Sequence, residues 1–301
     1  MPTLDAAQTV FFNRELERIK TDVWEVEYAD LDARKIFYVD NEGGPGIDHQ
    51  TIRVYDKAGK AKIIGSFSDD LPRADASGRE ISYPVRTIGT SFGYTVQEIR
   101  RSEYARKSLD TLRAEACRRA WEEEVNRIAF YGDAQHGLNG LLVDPNIPVA
   151  PVAGAVWALK TPDEILADVN EAFAEVFTVT KKLHRPTRLL LPTAQYSYIS
   201  GTPRSPTSDT TILQYIVNNS QYIASAEEII PLNELAGAGA GGTDIFMVYN
   251  PDKMNLRLDI PHELEFLPVQ ERGLEFVVPA YGNTGGLAIY KPLSLARREG
   301  I

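Results

Sequence analysis

Apolar residues recur every three or four positions over a long stretch near the middle of the chain, from residue 102 to residue 131. Neither glycine nor proline interrupts this stretch before Gly132. Ser102 is a good N-cap residue, and a glycine directly after the pattern is a typical helix stop. The pattern therefore predicts one helix over 102–131, which would be about 45 Å long and would bury one stripe of its surface.

Alternating apolar and polar residues predict strands before this helix. The runs 51–56 and 61–67 have the pattern of a β-hairpin, with Gly59 as the turn former between them. After a polar stretch, alternation returns over 81–99 and predicts strands with one buried face. We expect an extended, locally basic hairpin, because this region carries the basic residues Arg53, Lys57, Lys60, Lys62 and Arg73 against fewer acids.

Helix and strand signals mix in the C-terminal half. Thr161, followed by proline and aspartate, predicts a helix start, and 211–219 predicts a shorter helix. Apolar runs at 188–193 and 244–250 predict buried strands, and further strand signals continue to the C-terminus. The segment 236–242, AGAGAGG, predicts a flexible loop. The chain is therefore expected to belong to the α+β class.

Composition narrows the choice of function. The chain has 301 residues, 43% hydrophobic, which is enough for one large domain or two ordinary ones. A net charge of -10 makes wrapping of nucleic acid an unlikely role, because such a chain repels phosphate on average. The single cysteine rules out an intramolecular disulfide, and no apolar run reaches the ~18 residues of a membrane span. We expect a soluble protein made inside a cell.

Three consecutive glutamates, Glu122–Glu124, are the first candidates for catalysis. Consecutive helical side chains point about 100° apart, so the three cannot converge on one substrate. Arginines at helical spacing can neutralise them: Arg118 or Arg119 for Glu122, and Arg119 or Arg127 for Glu123. We interpret the triplet as a solvated or intersubunit charged face.

The remaining candidates for chemistry have simpler interpretations. His136 lies in a glycine-rich loop, and no other histidine or cysteine stands at metal-ligand spacing. Cys117 falls beside the apolar stripe of the helix, where a buried small side chain is expected. The glycines of 236–242 are followed by a strand, whereas phosphate-binding loops lead into a helix. We therefore predict no enzyme activity, no cofactor and no metal site.

The most distinctive stretch runs from residue 118 to residue 142. It contains Arg-x-x-x-Glu-Glu, then Asn-x-x-x-Phe-Tyr-Gly-Asp, then Gly-Leu-x-Gly-Leu-Leu. Together with the order of elements, it resembles the major capsid proteins of tailed bacteriophages, and in particular a subfamily once known only as a domain of unknown function. Encapsulin shells use the same fold. The order of elements covers essentially the whole chain, while the specific motifs are confined to this stretch.

The resemblance implies a division of the chain. The implied parts are an N-terminal arm over 1–46, an extended β-hairpin loop over 47–80, a peripheral domain over 81–150 with a spine helix over 102–131, a mixed α/β axial domain over 151–275, and a return to the peripheral domain over 276–301. Some family members carry an N-terminal scaffolding segment that is removed. Because the arm follows Met1 directly, we expect a separate scaffolding protein or none.

The resemblance also implies a function. The chain would self-assemble, as hexamers and pentamers, into the icosahedral shell of a tailed phage that encloses the DNA genome. It would assemble in the cytoplasm of a bacterial host and remain in the virion. Portal, scaffolding and decoration proteins are candidate partners, packaged DNA would be touched non-specifically, and no membrane is involved. An encapsulin-type compartment shell is the alternative, and a soluble enzyme is the second alternative.

Two sets of residues have hypothesised roles in that shell. Residues expected at subunit interfaces are Arg53, Lys57, Lys60, Lys62, Arg73, Glu122 and Glu123. Glycines expected to act as hinges, so that one chain fits rings of different symmetry, are Gly43, Gly44, Gly132 and Gly239. No lysine and asparagine can be matched as a cross-linking pair, so covalent cross-linking is not predicted.

Overall fold

The structure is a computed structural model, and it describes residues 30–58, 73, 75–98, 110–154, 156–205 and 207–301. The chain divides between Asp30 and Leu31, and the part from Leu31 to Ile301 is a compact unit. Three sequence predictions lie outside the described residues: most of the arm, the strand at 61–67, and the first turns of the long helix.

The described helices and strands follow the α+β expectation. The helices are α1 (Ala33–Ile36), α2 (Asp110–Tyr131), α3 (Pro162–Val179), α4 (Thr193–Gly201) and α5 (Ile212–Asn219). The strands are β1 (Val39–Asp40), β2 (His49–Ala58), β3 (Asp75–Pro84), β4 (Arg86–Thr95), β5 (Val149–Pro151), β6 (Arg188–Pro192), β7 (Ile229–Leu232), β8 (Ile245–Tyr249), β9 (Leu256–Asp259), β10 (His262–Phe266), β11 (Gln270–Arg272), β12 (Glu275–Thr284), β13 (Gly286–Ile289) and β14 (Leu295–Glu299).

Strands β2 and β3 form a two-stranded antiparallel ribbon. Their register runs without a shift from the pair His49 and Pro84 to the pair Ala58 and Asp75. The hairpin was predicted with a different partner, the run 61–67. Alternation identifies a strand but not its partner, and here β2 pairs with a segment that begins 17 residues after β2 ends.

A second antiparallel sheet carries helix α2 on one face. Strand β12 pairs with β4 over ten residues on one edge and with β10 and then β11 on the other. Pro279 lies inside β12, although proline is usually confined to strand ends and edges. It is tolerated because its backbone faces the gap between β10 and β11, where its carbonyl accepts from Leu267 N at 2.8 Å. Gly282 must stay small, since a Cβ there would lie 2.8 Å from the Trp121 ring.

The third large sheet, in the order β5-β14-β8-β6-β7, has a hydrophobic core on each face. Helix α3 packs on one face and starts as predicted. Thr161 and Glu164 form a capping box, in which each side chain accepts from the other residue's backbone N–H. A smaller sheet, β1-β9-β13, connects the ribbon region to the first core.

Candidate functional site

The ribbon exposes charged side chains on both strands. Arg53 lies opposite Glu80 in the register, and Arg53 Nε donates to Glu80 Oε1 at 2.8 Å, with the two side chains 70% and 60% exposed. Lys57 and Arg73 are exposed as well, whereas Lys60 and Lys62 lie outside the described residues. One basic side chain of the predicted interface is therefore already paired within the ribbon.

The root of the ribbon meets the compact unit through two tyrosines. The hydroxyl groups of Tyr83 on β3 and Tyr290 after β13 are 2.8 Å apart. Burial raises the pKa of both phenols, so each is a neutral hydroxyl group that can donate or accept. Beside them lies a cavity of about 250 Å³, lined by the ribbon residues Ile52 and Ile81 and by Leu287 of β13, among others.

Two aspartates face each other beside this root. Asp40 and Asp259 are register partners in the parallel pair β1–β9. Asp40 accepts from Arg257 Nη1 at 2.6 Å. Asp259 is fully buried and makes no hydrogen bond of good geometry among the described residues, although the Tyr83 hydroxyl lies close enough to lower its pKa. Burial raises the pKa of Asp259 to about 7. Sequence reasoning missed this pair, because the alternating pattern of 256–260 (LRLDI) puts Asp259 on the same face as Arg257 and so indicates an exposed position.

The three glutamates of α2 make three separate ion pairs. Glu123 pairs with Arg119 at 2.8 Å, as predicted. Glu124 pairs with Arg127 at 2.6 Å. Glu122 was predicted to pair within its helix, but it accepts from Arg34 Nε of α1 at 2.8 Å. The triplet thus points in three directions, as helical geometry requires.

Arg34 connects α2 to a second element. Its two Nη atoms donate to the two carboxylate oxygens of Glu263 on β10, at 2.9 and 2.8 Å. Hydrogen bonds to Glu263 and Glu122 raise the pKa of Arg34 above its usual value. Glu122 is therefore engaged within its own chain, and any contact that it makes with another subunit would compete with Arg34.

A tight turn follows α2. Gly132 is buried with φ +63°, and a Cβ there would lie 2.6 Å from the carbonyl oxygen of Leu138. Asp133 and Leu138 exchange backbone hydrogen bonds of 2.8 and 2.9 Å, and the amide of Leu141 donates to Ala129 O within the helix at 2.9 Å. This packing favours a rigid turn at Gly132 and disfavours its predicted role as a hinge.

The glycine-rich loop 236–242 is held from three sides, contrary to the predicted flexibility. Asp244 Oδ1 accepts from Gly237 N at 2.8 Å, and Arg297 Nη2 donates to Ala238 O at 2.8 Å. Glu299 also accepts from the loop, through Ala240 N at 3.2 Å. A Cβ at Gly239 would lie 2.5 Å from Thr243 Oγ1. The hinge role predicted for Gly239 has no support in this packing.

The other two predicted hinges differ from each other. Gly43 and Gly44 have φ of +141° and +109°, a region that favours glycine. A Cβ at Gly43 would collide with Ile47, whereas nothing lies within 4 Å of a Cβ at Gly44. No side chain crowds Gly44, although its amide donates to Pro261 O at 3.1 Å, and its hinge role stays a prediction.

The other candidates for chemistry, His136 and Cys117, make ordinary structural contacts. His136 Nδ1 lies 2.7 Å from Asp133 Oδ2 on the surface, and this contact lowers the pKa of Asp133. Cys117 is buried, with Thr90 Oγ1 3.6 Å from its sulfur. Within the described ranges, no group of three acidic, histidine or cysteine side chains could hold a metal ion. No helix of the described part of the chain is long and apolar enough to cross a bilayer.

Comparisons with known proteins agree with these observations. A family model described as major capsid protein matches residues 59–301. Curated protein sequences give no match. A solved chain from the capsid of Myoviridae phage XM1 aligns with a TM-score of 0.81 and 18% identity, over 96% of this chain and 98% of that chain.

Two further solved chains are similar at greater distance. A chain of Gordonia phage Cozz has a TM-score of 0.65 and 13% identity, covering 99% of this chain and 95% of its own. A chain of a virus-like particle from Pyrococcus furiosus has a TM-score of 0.53 and 13% identity, covering 88% and 90%. At these identities the similarity establishes the fold, and the expected α+β phage-capsid fold is confirmed at that level.

Proposed function

Because this chain belongs to the major capsid protein family, we propose that it assembles, through its ribbon and the surfaces around α2, into the icosahedral shell of a tailed phage that encloses the DNA genome. A major capsid protein is a structural component of the virion, and its function is assembly rather than turnover of a substrate. Hexamers and pentamers of the chain would be the building units of the shell.

The finer division of the fold belongs to this proposal. Residues 47–80 would be an extended loop that reaches a neighbouring subunit, and 1–46 would be an arm that adds a second overlapping contact. The peripheral domain would comprise 81–150 and 276–301, with α2 as its spine, and 151–275 would be the axial domain. The 22-residue length of α2 and the separate two-stranded sheet of the ribbon support this division.

The observation that carries the proposal is the ribbon itself. Strands β2 and β3 form a sheet of their own, and Tyr55 in the ribbon is 66% exposed. A two-stranded ribbon is marginal in water unless another surface covers it. A neighbouring subunit would supply that surface, and the exposed cations Lys57 and Arg73 would meet a chain whose net charge is -10.

Other partners follow from the same charge distribution. A net charge of -10 allows packaged DNA to lie against the shell without binding it tightly, so contacts with DNA would be non-specific. Scaffolding, portal and decoration proteins remain candidate partners. Glu122 and Glu123 on α2 remain candidate acidic contacts for the ribbon of a neighbour.

Electron microscopy of the purified full chain tests the proposal. We expect closed shells or rings, and particles from infected cells should contain DNA, whereas an encapsulin-type compartment would contain a cargo enzyme. A chain that stays a small monomer under all assembly conditions and in infected cells would contradict the proposed function.

Charge reversal in the ribbon tests the contact that drives assembly. Replacing Arg53, Lys57 and Lys60 by glutamate should abolish shells while the subunit keeps its unfolding temperature, because Arg53 and Lys57 are exposed side chains. The matched control is the double variant Arg53→Glu, Glu80→Arg, which keeps the ion pair and the net charge and should still assemble. Normal assembly of the triple variant would contradict the proposed role of the ribbon.

A further inference from the structure

Three loops meet at one end of the five-stranded sheet. They are residues 180–187 before β6, residues 250–254 after β8, and residues 290–294 before β14. The amide of Thr187 donates to Tyr249 O at 3.2 Å, and the amide of Asn250 donates to Ser294 O at 3.3 Å. Helix α3, which leads into the first loop, also contacts the third. These three loops together are called the basic end of the subunit, after the charges that they carry.

The basic end has five cationic side chains and one acidic side chain. The cations are Lys181, Lys182, Arg185, Lys253 and Lys291, all of them exposed, and the acid is Asp252. Among the described residues, none of the five cations forms an ion pair. Arg185 donates to the carbonyl of Gln221, and Lys253 lies 6.0 Å from the centre of the Tyr38 ring. A local charge of +4 therefore lies at one end of a chain whose net charge is -10.

Exposed apolar side chains lie among these cations. Leu183, Met254 and Leu293 are 76%, 53% and 48% exposed, and each loop contributes one of them. The phosphate groups of DNA could pair with the cations but would leave these apolar side chains in contact with water. Exposed apolar residues that are bordered by charge are typical of protein–protein contact sites. The basic end therefore fits an acidic protein surface better than it fits DNA.

Helix α3 carries an acidic surface on the same chain. Its sequence, Pro162–Val179, contains five acidic residues and no lysine or arginine. Exposed residues recur along it at three- and four-residue spacing, and so form one stripe: Glu164, Ala167, Glu171 and Ala174. The side that faces the core is apolar. These four residues are called the acidic stripe.

Two of the five acids of α3 lie on the acidic stripe. The other three are paired inside the subunit: Asp163 with Arg204, Asp168 with Lys160, and Glu175 with Arg298. Glu171 is 69% exposed, and its contact with Arg298 is 3.8 Å long. The two alanines of the stripe are small enough for the loops of another subunit to approach the helix closely.

We propose that the basic end of one subunit binds the acidic stripe of a second copy of this chain. Lys181 and Lys182 would pair with Glu171 of the partner subunit, and Glu164 of the partner subunit lies two turns further along the same stripe. Leu183 would pack between these pairs, over the alanines. The contact therefore combines opposite charges with the burial of apolar surface.

The position of the two surfaces favours a ring. The basic end lies at an end of the sheet, whereas α3 lies on one of its faces, so the two surfaces differ and point in different directions. A contact between two different surfaces is heterologous, and its repetition around an axis can close a ring. Hexamers and pentamers are rings of this kind. The inference thus rests on the proposed function and supplies a contact within each ring.

Zero-length cross-linking tests the contact in the wild-type chain. Isotope-labelled and unlabelled chains are assembled together and treated with a carbodiimide, which joins a lysine amine to a carboxylate. Mass spectrometry should find peptides that link Lys181 or Lys182 to Glu164 or Glu171, including peptides of mixed label, which prove that two subunits are joined. A link to Glu164 within one subunit is out of reach, because the 15 residues from Glu164 to Val179 span about 22 Å of helix.

Charge exchange tests the same contact by mutation. The double variant Lys181→Glu, Lys182→Glu should give about tenfold fewer shells, or fewer still, because glutamates would then face glutamates. Adding Glu171→Lys should restore assembly. The matched control adds Glu265→Lys instead, which gives the same net charge at a different exposed acid and should not restore assembly. Unfolding temperatures of the unassembled subunits show whether each variant folds.

The outcomes separate this inference from the proposed function. Shells without a mixed-label link between the two segments, or no better rescue by Glu171→Lys than by Glu265→Lys, would overturn the contact and leave the shell function standing. Protection of Lys181 and Lys182 from acetylation only in DNA-filled particles would assign the basic end to DNA and would also overturn the contact. Rings that contain the link but never close into shells would support the contact and overturn the proposed function, whereas a chain that stays a monomer would overturn both.

Discussion

Asp259 is a buried acid that forms no ion pair among the described residues, and its pKa has a consequence for stability. Burial raises the pKa from 3.8 to about 7, the Tyr83 hydroxyl opposes this shift, the charge of Asp40 adds to it and that of Arg257 opposes it. The folded chain therefore keeps a proton that the unfolded chain releases between about pH 4 and pH 7. The free energy of unfolding should fall as pH rises through this window and level off above the pKa of the folded state.

Replacing the acid by its neutral isostere tests this account. We expect Asp259→Asn to remove the part of the pH dependence that Asp259 contributes and to raise the free energy of unfolding at pH 8 by about 2–4 kcal/mol. Chemical denaturation between about pH 4 and pH 8 measures both effects. Asp40→Asn is the matched control, since it strips Arg257 of its carboxylate and should destabilise the chain by about 1–3 kcal/mol. Identical pH profiles for wild type and Asp259→Asn would refute the proposed burial effect.

At the scale of elements, the turn after α2 depends on two glycines for different reasons. Gly132 has φ +63° and no room for a Cβ, whereas Gly137 has φ +75° and its nearest contact is Pro84 Cγ at 3.4 Å. Gly137→Ala should cost only backbone strain, about 1 kcal/mol. Gly132→Ala adds a collision with Leu138 O and should cost about 2–4 kcal/mol. Thermal and chemical unfolding measure the loss of stability in each variant. Equal losses would mean that the turn relaxes to accommodate a Cβ at position 132.

Local signals allowed several elements to be predicted from the sequence. Thr161 with Glu164 forms its capping box from residues three positions apart, so the start of α3 is encoded locally. The apolar run at 244–250 predicted strand β8. All five residues of β8 are buried, so a continuous apolar run marks this strand whichever strands pair with it. The partner of β2 could not be predicted in this way, because the pairing joins segments that local patterns do not connect.

The candidate site was less predictable, because tertiary contacts decide it. Glu122 had arginines at helical spacing, and nothing in the sequence indicated that α1 would bring Arg34 closer. The glycines of 236–242 suggested flexibility, but Asp244 and Arg297 hold the loop in place.

At the scale of the whole chain, the five-stranded sheet joins two hydrophobic cores. Alternate residues of β8 point to opposite faces, so Met247 belongs to one core and Phe246 to the other. The same alternation places Leu190 of β6 in the first core and Leu189 in the second. If the elements that cover one face of this sheet unfolded, the sheet that supports the other core would be exposed to water on that face. The proposed peripheral and axial domains should therefore unfold together, even if they play different roles in a shell.

Core truncations on the two faces of β8 test this cooperativity in the unassembled subunit. Phe246→Ala should cost about 3–5 kcal/mol and Met247→Ala about 2–5 kcal/mol, and both should shift one transition. Calorimetry should give equal calorimetric and van't Hoff enthalpies, and circular dichroism should follow the same curve. Leu159→Ala is the control, because this side chain is 79% exposed and should change stability by less than about 0.5 kcal/mol. Two separate transitions, only one of which moves with Phe246→Ala, would mean that the domains are energetically independent despite their common sheet.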